Sequence, residues 1–216
     1  MEIYYKLTNF YRLSMKLTGF SRSLQNYIKR LPIKLPLNAK ILDAGCGTGI
    51  LGISIKKCFP KSIVLATDLE KKFLTKIQNN IQKYGFPKDE FNLGIANINS
   101  PEKVSLINKK DNLYLSPETF DVVIIGAVLG YSTNPKQSLI RLLKLVKKGG
   151  YFIDIEMSEN PIGKIISALF KYKNPGIMNI VKILNNNNCV VKKIPFLFTE
   201  LPGGVSRIGI IASKTN

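Results

Sequence analysis

Along the first part of the chain, apolar residues return at spacings of three and four. Leu13, Leu17, Phe20, Leu24, Ile28 and Leu31 make a stripe flanked by Arg12, Lys16, Arg22, Lys29 and Arg30, which predicts an amphipathic helix inside a lead-in of residues 1–39. Pro32 and Pro36 end that helix before the first strand. From residue 40 the pattern changes to short continuous apolar runs alternating with helical periodicity. The runs ending at Asp43 and Asp68, and those starting at Phe120 and Tyr151, read as buried parallel strands. This alternation predicts an α/β doubly wound sheet, one domain over residues 40–216 with the lead-in as a helical cap. Asn99 to Thr119 reads as a loop with one short helix or strand. At the C-terminal end, a helix through Lys182 exits at Asn185–Asn188. Two strands follow, through Cys189–Phe196–Phe198 and Arg207–Ala212, joined by a turn at Leu201-Pro-Gly-Gly204.

Candidate chemistry starts at Ile41-Leu-Asp-Ala-Gly-Cys-Gly-Thr-Gly49, a strand end leading through a glycine-rich turn into a helix marked by Ile50, Leu51, Ile53 and Ile55. Gly45, Gly47 and Gly49 let the backbone pass close to a ligand. A dinucleotide fingerprint needs a third glycine one position later, where Ile50 stands, and Asp43 beside the turn disfavours a pyrophosphate. The Walker A pattern is absent too, since no Gly-Lys-Ser/Thr follows. An acid two positions before G-x-G-x-G instead suits a cationic nucleoside, S-adenosylmethionine. Ser62-Ile-Val-Leu-Ala-Thr-Asp68 then ends a second strand in an acid, about 20 residues beyond the turn, the separation at which a βαβ unit brings a carboxylate to a ribose. The alternative for Asp68 is a helix cap near Glu70.

With these residues the chain resembles the class I S-adenosylmethionine-dependent methyltransferases, and most of all the small-molecule branch related to the ubiquinone and menaquinone biosynthesis C-methyltransferases. The resemblance runs from about Lys40 to about Ser213 and is carried by LDAGCGTG, LATDLE at Leu65–Glu70, FDVVIIGAVLGY at Phe120–Tyr131 and LLKLVKKGGYFIDIE at Leu142–Glu156. It implies a Rossmann-like seven-stranded sheet with an antiparallel last strand. It also implies that Asp43, Gly45, Gly47 and Gly49 surround the methionine part of the cofactor, Asp68 the ribose, and Leu69, Asn97 and Ile98 the adenine, with Ala44, Cys46 and Gly126 also cofactor-binding and the fourth strand facing the reacting methyl. Asn97 stands where the family often has Asp, and Leu129-Gly130-Tyr131 where many relatives carry His.

The chain has no His, so a proton acceptor would be a carboxylate, Tyr or Lys, or the methyl acceptor is already nucleophilic. Tyr131 and Glu156, at the carboxyl ends of expected strands, are the candidate catalytic residues; the alternative is that Tyr131 packs and Glu156 is solvated. Direct in-line displacement, with S-adenosylhomocysteine as product, fits this inventory. No metal is expected, because Cys46, Cys58 and Cys189 share no ligand spacing and are expected reduced and packed.

The 216 residues carry 32 Lys and Arg against 14 Asp and Glu, a net charge of +18. That charge favours nucleic acid or an anionic membrane surface, yet Lys is spread along the chain with no basic block. The signatures of amino-directed and cytosine C5 DNA methyltransferases are both missing. RNA or protein as acceptor, and a cofactor-binding partner subunit without catalysis, are the rivals to a small apolar acceptor. The helix predicted over Pro161–Lys171, with Ile162, Ile165, Ile166, Leu169 and Phe170 on one face, fits core packing, a cover over an apolar acceptor or a membrane-surface contact. Tyr4, Tyr5 or Tyr11 in the lead-in would touch cofactor or acceptor if it caps the site. Met1–Lys6 has no apolar secretory core, and a cytoplasmic location is expected.

Overall fold

The computed structural model describes residues 19–87, 89–107 and 111–215. Helix α1 (Phe20–Arg30) carries the described part of the amphipathic stripe. Phe20, Leu24, Ile28 and Leu31 are buried while Lys29 and Arg30 are exposed. Leu13, Leu17, Tyr4, Tyr5 and Tyr11 lie outside the described residues.

Strands β1 (Lys40–Ala44), β2 (Ile63–Asp68) and β3 (Phe91–Ile95) alternate with helices α2 (Ile50–Cys58) and α3 (Lys71–Tyr84). Two short strands, β4 (Lys103–Leu106) and β5 (Asn112–Tyr114), precede β6 (Phe120–Ile125), α4 (Pro135–Leu145) and β7 (Val146–Met157). Then come α5 (Pro161–Leu169), α6 (Ile177–Asn185), β8 (Cys189–Ile194), the one-turn α7 (Gly203–Ser206) and β9 (Arg207–Lys214). The sheet order is β5-β4-β3-β2-β1-β6-β7-β9-β8. The central strands β3, β2, β1, β6 and β7 are parallel, and β9 runs antiparallel to both β7 and β8.

The expected Rossmann-like doubly wound sheet with an antiparallel last strand is therefore present, with a correction to the strand count. The seven expected strands are there, but the stretch expected to be a loop with one short helix or strand supplies two more, β4 antiparallel to β3 and β5 antiparallel to β4, giving nine among the described residues. The C-terminal connection also differs. Strand β8 stops at Ile194, Phe196 leaves the sheet to stack on Tyr27 at 4.0 Å, and the link to β9 is a 3₁₀ turn (Phe198–Glu200) followed by α7.

The pleat of β1 shows how two cores arise, since successive side chains point to opposite faces. Ile41 joins the core under α1, α2 and α3, while Leu42 and Ala44 join the one under α4 and α6. Local chemistry fixes the helix starts. Asn134 accepts a hydrogen bond from the Gln137 N–H (3.0 Å) ahead of Pro135, and Asn160 from the Gly163 N–H (2.7 Å) ahead of Pro161. Helix α1 is tied to the far end of the chain: the Arg30 guanidinium donates to both Glu200 carboxylate oxygens at 2.8 Å, and the Gly203 N–H donates to Ser23 Oγ at 3.0 Å.

Candidate active site

The parallel strands all end on one edge, and a cavity of about 500 Å³ lies beyond their carboxyl ends. Each strand delivers residues to it. The turn after β1 contributes Gly45, Gly47 and Thr48, the end of β2 contributes Asp68, Leu69 and Glu70, and the segment after β3 contributes Ala96–Asn99. Gly126–Val128 and Tyr131 arrive from β6, and Met157 from β7. Open α/β sheets bind ligands at this edge, where the strand order reverses.

The glycine turn forms because its positions need left-handed backbone. Gly47 has φ +52° with open space where a Cβ would stand, and Gly45 has φ +67° with Val128 Cγ2 only 2.2 Å from that point. Asp68 holds the turn, accepting the Gly47 N–H at Oδ2 (2.8 Å) and the Glu70 N–H at Oδ1 (2.9 Å). A carboxylate offers about four acceptor sites. Two are occupied, so Asp68 retains capacity for a vicinal diol, which is the donor chemistry of a ribose. Burial pushes the Asp68 carboxyl up, against the pull of the two backbone N–H groups. Asp68 thus fixes the backbone on both sides of the cavity's edge, at Gly47 and at Glu70, and keeps acceptor capacity to spare.

Asp43 departs from the expected placement. It is wholly buried and does not line the cavity; its Oδ2 accepts the Gly52 N–H at 2.8 Å inside α2, and Oδ1 has no hydrogen-bond partner among the described residues. Burial pushes its carboxyl up to about 7, with the Gly52 N–H opposing and the Asp68 charge adding. Ala44, Cys46 and Gly49 likewise sit behind the cavity wall: Cys46 is buried with its thiol pushed well up by burial, and a Cβ on Gly49 would meet Ile77 at 2.8 Å. A folded carboxyl raised above its unfolded value near 3.9 costs stability as pH climbs, because the unfolded chain ionises first. Asp43→Asn keeps an acceptor for Gly52 without the charge. Its stability relative to the wild type is therefore expected to rise by ~2–4 kcal/mol between about pH 4 and pH 8, read by urea unfolding without cofactor. A constant difference across that range would show that Asp43 is not the titrating group.

Asn97 and Ile98 line the cavity as expected. Asn97 Oδ1, though, already accepts from the Asn99 backbone N–H and Nδ2, both at 2.9 Å. Asn99 in turn ties this loop to the one after β6, its Oδ1 accepting from Ser132 Oγ (2.8 Å) and Thr133 N–H (3.0 Å).

At the other end of the cavity stand Ala127, Met157, Phe170 and Tyr172, an apolar cluster supported by Ile166. Tyr131, half exposed, meets the Tyr172 ring edge-on at 5.2 Å and its hydroxyl donates to the Phe170 carbonyl at 3.3 Å. Glu156 does not reach the cavity and is not solvated; it is fully buried, and both its carboxylate oxygens lie 2.7 Å from the Tyr172 hydroxyl. Period two along β7 sets this, turning Met157 toward the cavity and Glu156 to the opposite face. Asp154 shares that face, fully buried with neither oxygen hydrogen-bonded among the described residues. Burial and the neighbouring Glu156 push Asp154 well above the ordinary carboxylate range, while Arg207, at the cavity wall, pulls it down. Burial likewise raises Glu156, against the Tyr172 hydrogen bond. Tyr172 and Arg207 went unrecognised in the sequence, for neither belongs to a motif.

No described residue of α1 lines the cavity. A second hollow, about 600 Å³, lies between α4 and α6 around Leu139, Ile180 and Ile183, and neither the glycine turn nor Asp68 lines it.

The family model described as "Methyltransferase domain" matches residues 37–200. Among curated relatives, the malonyl-[acyl-carrier protein] O-methyltransferase of Halalkalibacterium halodurans is 28% identical over 113 residues, 52% of this chain and 37% of that protein. Methyltransferase str3 of Strobilurus tenacellus is 29% identical over 142 residues, 66% of this chain and 43% of that protein. The chain thus spans less than half the length of these relatives. Of solved structures, a geranyl diphosphate methyltransferase in complex with S-adenosylmethionine superposes with a TM-score of 0.69 at 12% identity, over 90% of this chain and 85% of that one. The CurJ carbon methyltransferase superposes with a TM-score of 0.68 at 18% identity, over 97% of this chain and 58% of that one. A family model covering most of the chain, on a sheet whose parallel edge carries the glycine turn and Asp68, places it in the class I S-adenosylmethionine-dependent methyltransferases.

Proposed function

We propose that the chain transfers a methyl group from S-adenosylmethionine to a small, apolar acceptor by direct in-line displacement. The observation that carries this reading is the division of one cavity between a polar end and an apolar end. Gly45, Gly47 and Asp68 stand at the first, with Leu69, Asn97 and Ile98 beside them. Ala127, Met157, Phe170 and Tyr172 close the second, with Arg207 on the same wall opposite Met157. Gly45 and Gly47 would take the methionine part, Asp68 the ribose, and Leu69, Asn97 and Ile98 the adenine, while Asp43 supports the turn from behind through Gly52.

When bound, the cofactor supplies a methyl group already activated on a sulfonium. The chain's own contribution is to hold the acceptor in line and keep water out, which suits a site built without His. Tyr131 is the hydroxyl placed to orient a polar atom of the acceptor. Glu156 acts from behind the wall, holding the Tyr172 ring and accepting the Met157 N–H. The relatives named above as acting on malonyl-acyl carrier protein and geranyl diphosphate agree with acceptors other than nucleic acid. The quinone-precursor, phenol and lipid-like classes all suit the apolar end.

The test is to incubate the chain with methyl-labelled S-adenosylmethionine and an extract of its source, then follow the label. Label in the solvent-extractable fraction supports the reading. Label in nucleic acid or protein replaces it with a macromolecular acceptor, and cofactor binding with no label transferred replaces it with a partner subunit.

A further inference from the structure

Helix α5 is apolar on two sides. Its inner side puts Ile166, and Phe170 just beyond it, into the cluster that walls the cavity; its outer side leaves Ile162, Ile165 and Leu169 exposed at 46%, 60% and 52%. A second exposed apolar group lies in the β8–β9 link, where Leu197, Phe198 and Leu201 are 48%, 88% and 43% exposed. The two groups are joined through α7. Helix α5 packs on α7, Asn160 Nδ2 donates to the Val205 carbonyl at 2.9 Å, and α7 packs on the 3₁₀ turn that carries Phe198. Soluble surfaces seldom gather this many large apolar side chains in one place without an occupant.

Charge identifies the occupant. Between residues 160 and 199 the chain has Lys164, Lys171, Lys173, Lys182, Lys192 and Lys193 and no Asp or Glu, and Glu159, the exposed acid just ahead of α5, accepts the Ile177 N–H at 3.3 Å. All six lysines are exposed, and Glu200, the next acid, is buried against Arg30. Exposed apolar side chains with Lys164 on α5 and Lys171 just beyond it fit an interface whose interior is hydrocarbon and whose surface is anionic. A second copy of this chain would bring +18 against +18, and nucleic acid offers nothing for Ile162, Ile165 and Leu169 to enter.

We propose that α5 and the β8–β9 link form a docking surface for a bilayer carrying anionic headgroups, with Phe198, Ile165 and Leu169 entering the acyl boundary. Because α5 also forms the apolar wall of the cavity, docking sets that wall against the lipid. The corollary that the acceptor is a bilayer-dissolved molecule rests on the small-molecule reading above; the docking itself does not.

The chain has no Trp, so Phe198→Trp installs a single fluorescent reporter at the centre of the surface. With vesicles of phosphatidylcholine and phosphatidylglycerol, its emission is expected to shift to the blue and the protein to co-sediment; with phosphatidylcholine alone, neither is expected. Ile165→Glu with Leu169→Glu is expected to weaken partition by at least about tenfold. Neither side chain lines the cavity, so thermal unfolding of this double variant should stay near that of the wild type. Failure of the reporter to shift, equal binding to both vesicle types, or salt-sensitive adsorption indifferent to the double substitution would each overturn the proposal. So would binding of RNA or an acidic protein in place of vesicles. None of these readouts involves methyl transfer, so the docking surface and the small-molecule reading fail separately.

Discussion

Asp68→Ala is expected to lower the affinity for S-adenosylhomocysteine by about 100-fold or more, measured by titration calorimetry. A hydrogen bond to a charged group contributes about 1.5–3 kcal/mol, and a ribose diol would give two of them to this carboxylate. The same substitution removes the acceptor that fixes the Gly47 N–H at 2.8 Å, so the glycine turn is left to find another conformation before it can close on a ligand. Asp68→Asn retains one oxygen and should fall between the two. Because burial raises the Asp68 carboxyl and the ionised form is the better acceptor, wild-type affinity should weaken on acidification, and Asp68→Ala should lose that dependence. Affinity unchanged in Asp68→Ala would place the ribose elsewhere.

The polar end of the cavity was legible because its chemistry is local in sequence. A turn that needs left-handed backbone announces itself through Gly45 and Gly47, and the βαβ unit puts Asp68 beside it at a nearly fixed separation. Asp43 shows the limit of that reading. Spacing places an acid near the turn, but which way the side chain points depends on the pleat, and here it points into the start of α2. Glu156 failed in the same manner, by one step of period two. Tyr172 and Arg207 were invisible for a different reason. They reach the cavity from segments far apart in sequence: the antiparallel register of β7 on β9 sets Arg207 opposite Met157, and Tyr172, beyond α5, is held there by its hydrogen bond to Glu156. The added strands β4 and β5 are too short, at four and three residues, for alternation to rise above a loop pattern.

The apolar end of α1 supplies the second large effect. Gly209 sits in the middle of β9, in a run of aliphatic residues where nothing marks it as special. In the structure a Cβ there would lie 1.6 Å from the Tyr27 hydroxyl oxygen and 2.4 Å from its Cζ. Tyr27 is almost fully buried, donates to the Ile194 carbonyl at 2.8 Å and stacks on Phe196. Gly209 is therefore small so that α1 can lay a tyrosine across the strand. The neighbouring strands cannot retreat, since Gly209 pairs with Ile155 on one side and Ile194 on the other. Gly209→Ala must expel the ring, giving up its hydrogen bond, its stacking and its burial together, a cost of about 3–4 kcal/mol and a fall in Tm of roughly 10 °C. Tyr27→Ala should cost a similar amount by leaving a cavity. The two losses share one cause, so the double variant should be far less destabilised than their sum, and a double-mutant cycle in urea reads the difference. Simple additivity would mean that the ring moves aside without leaving its site, and that α1 is held by the Arg30–Glu200 pair and the Ser23 contacts instead.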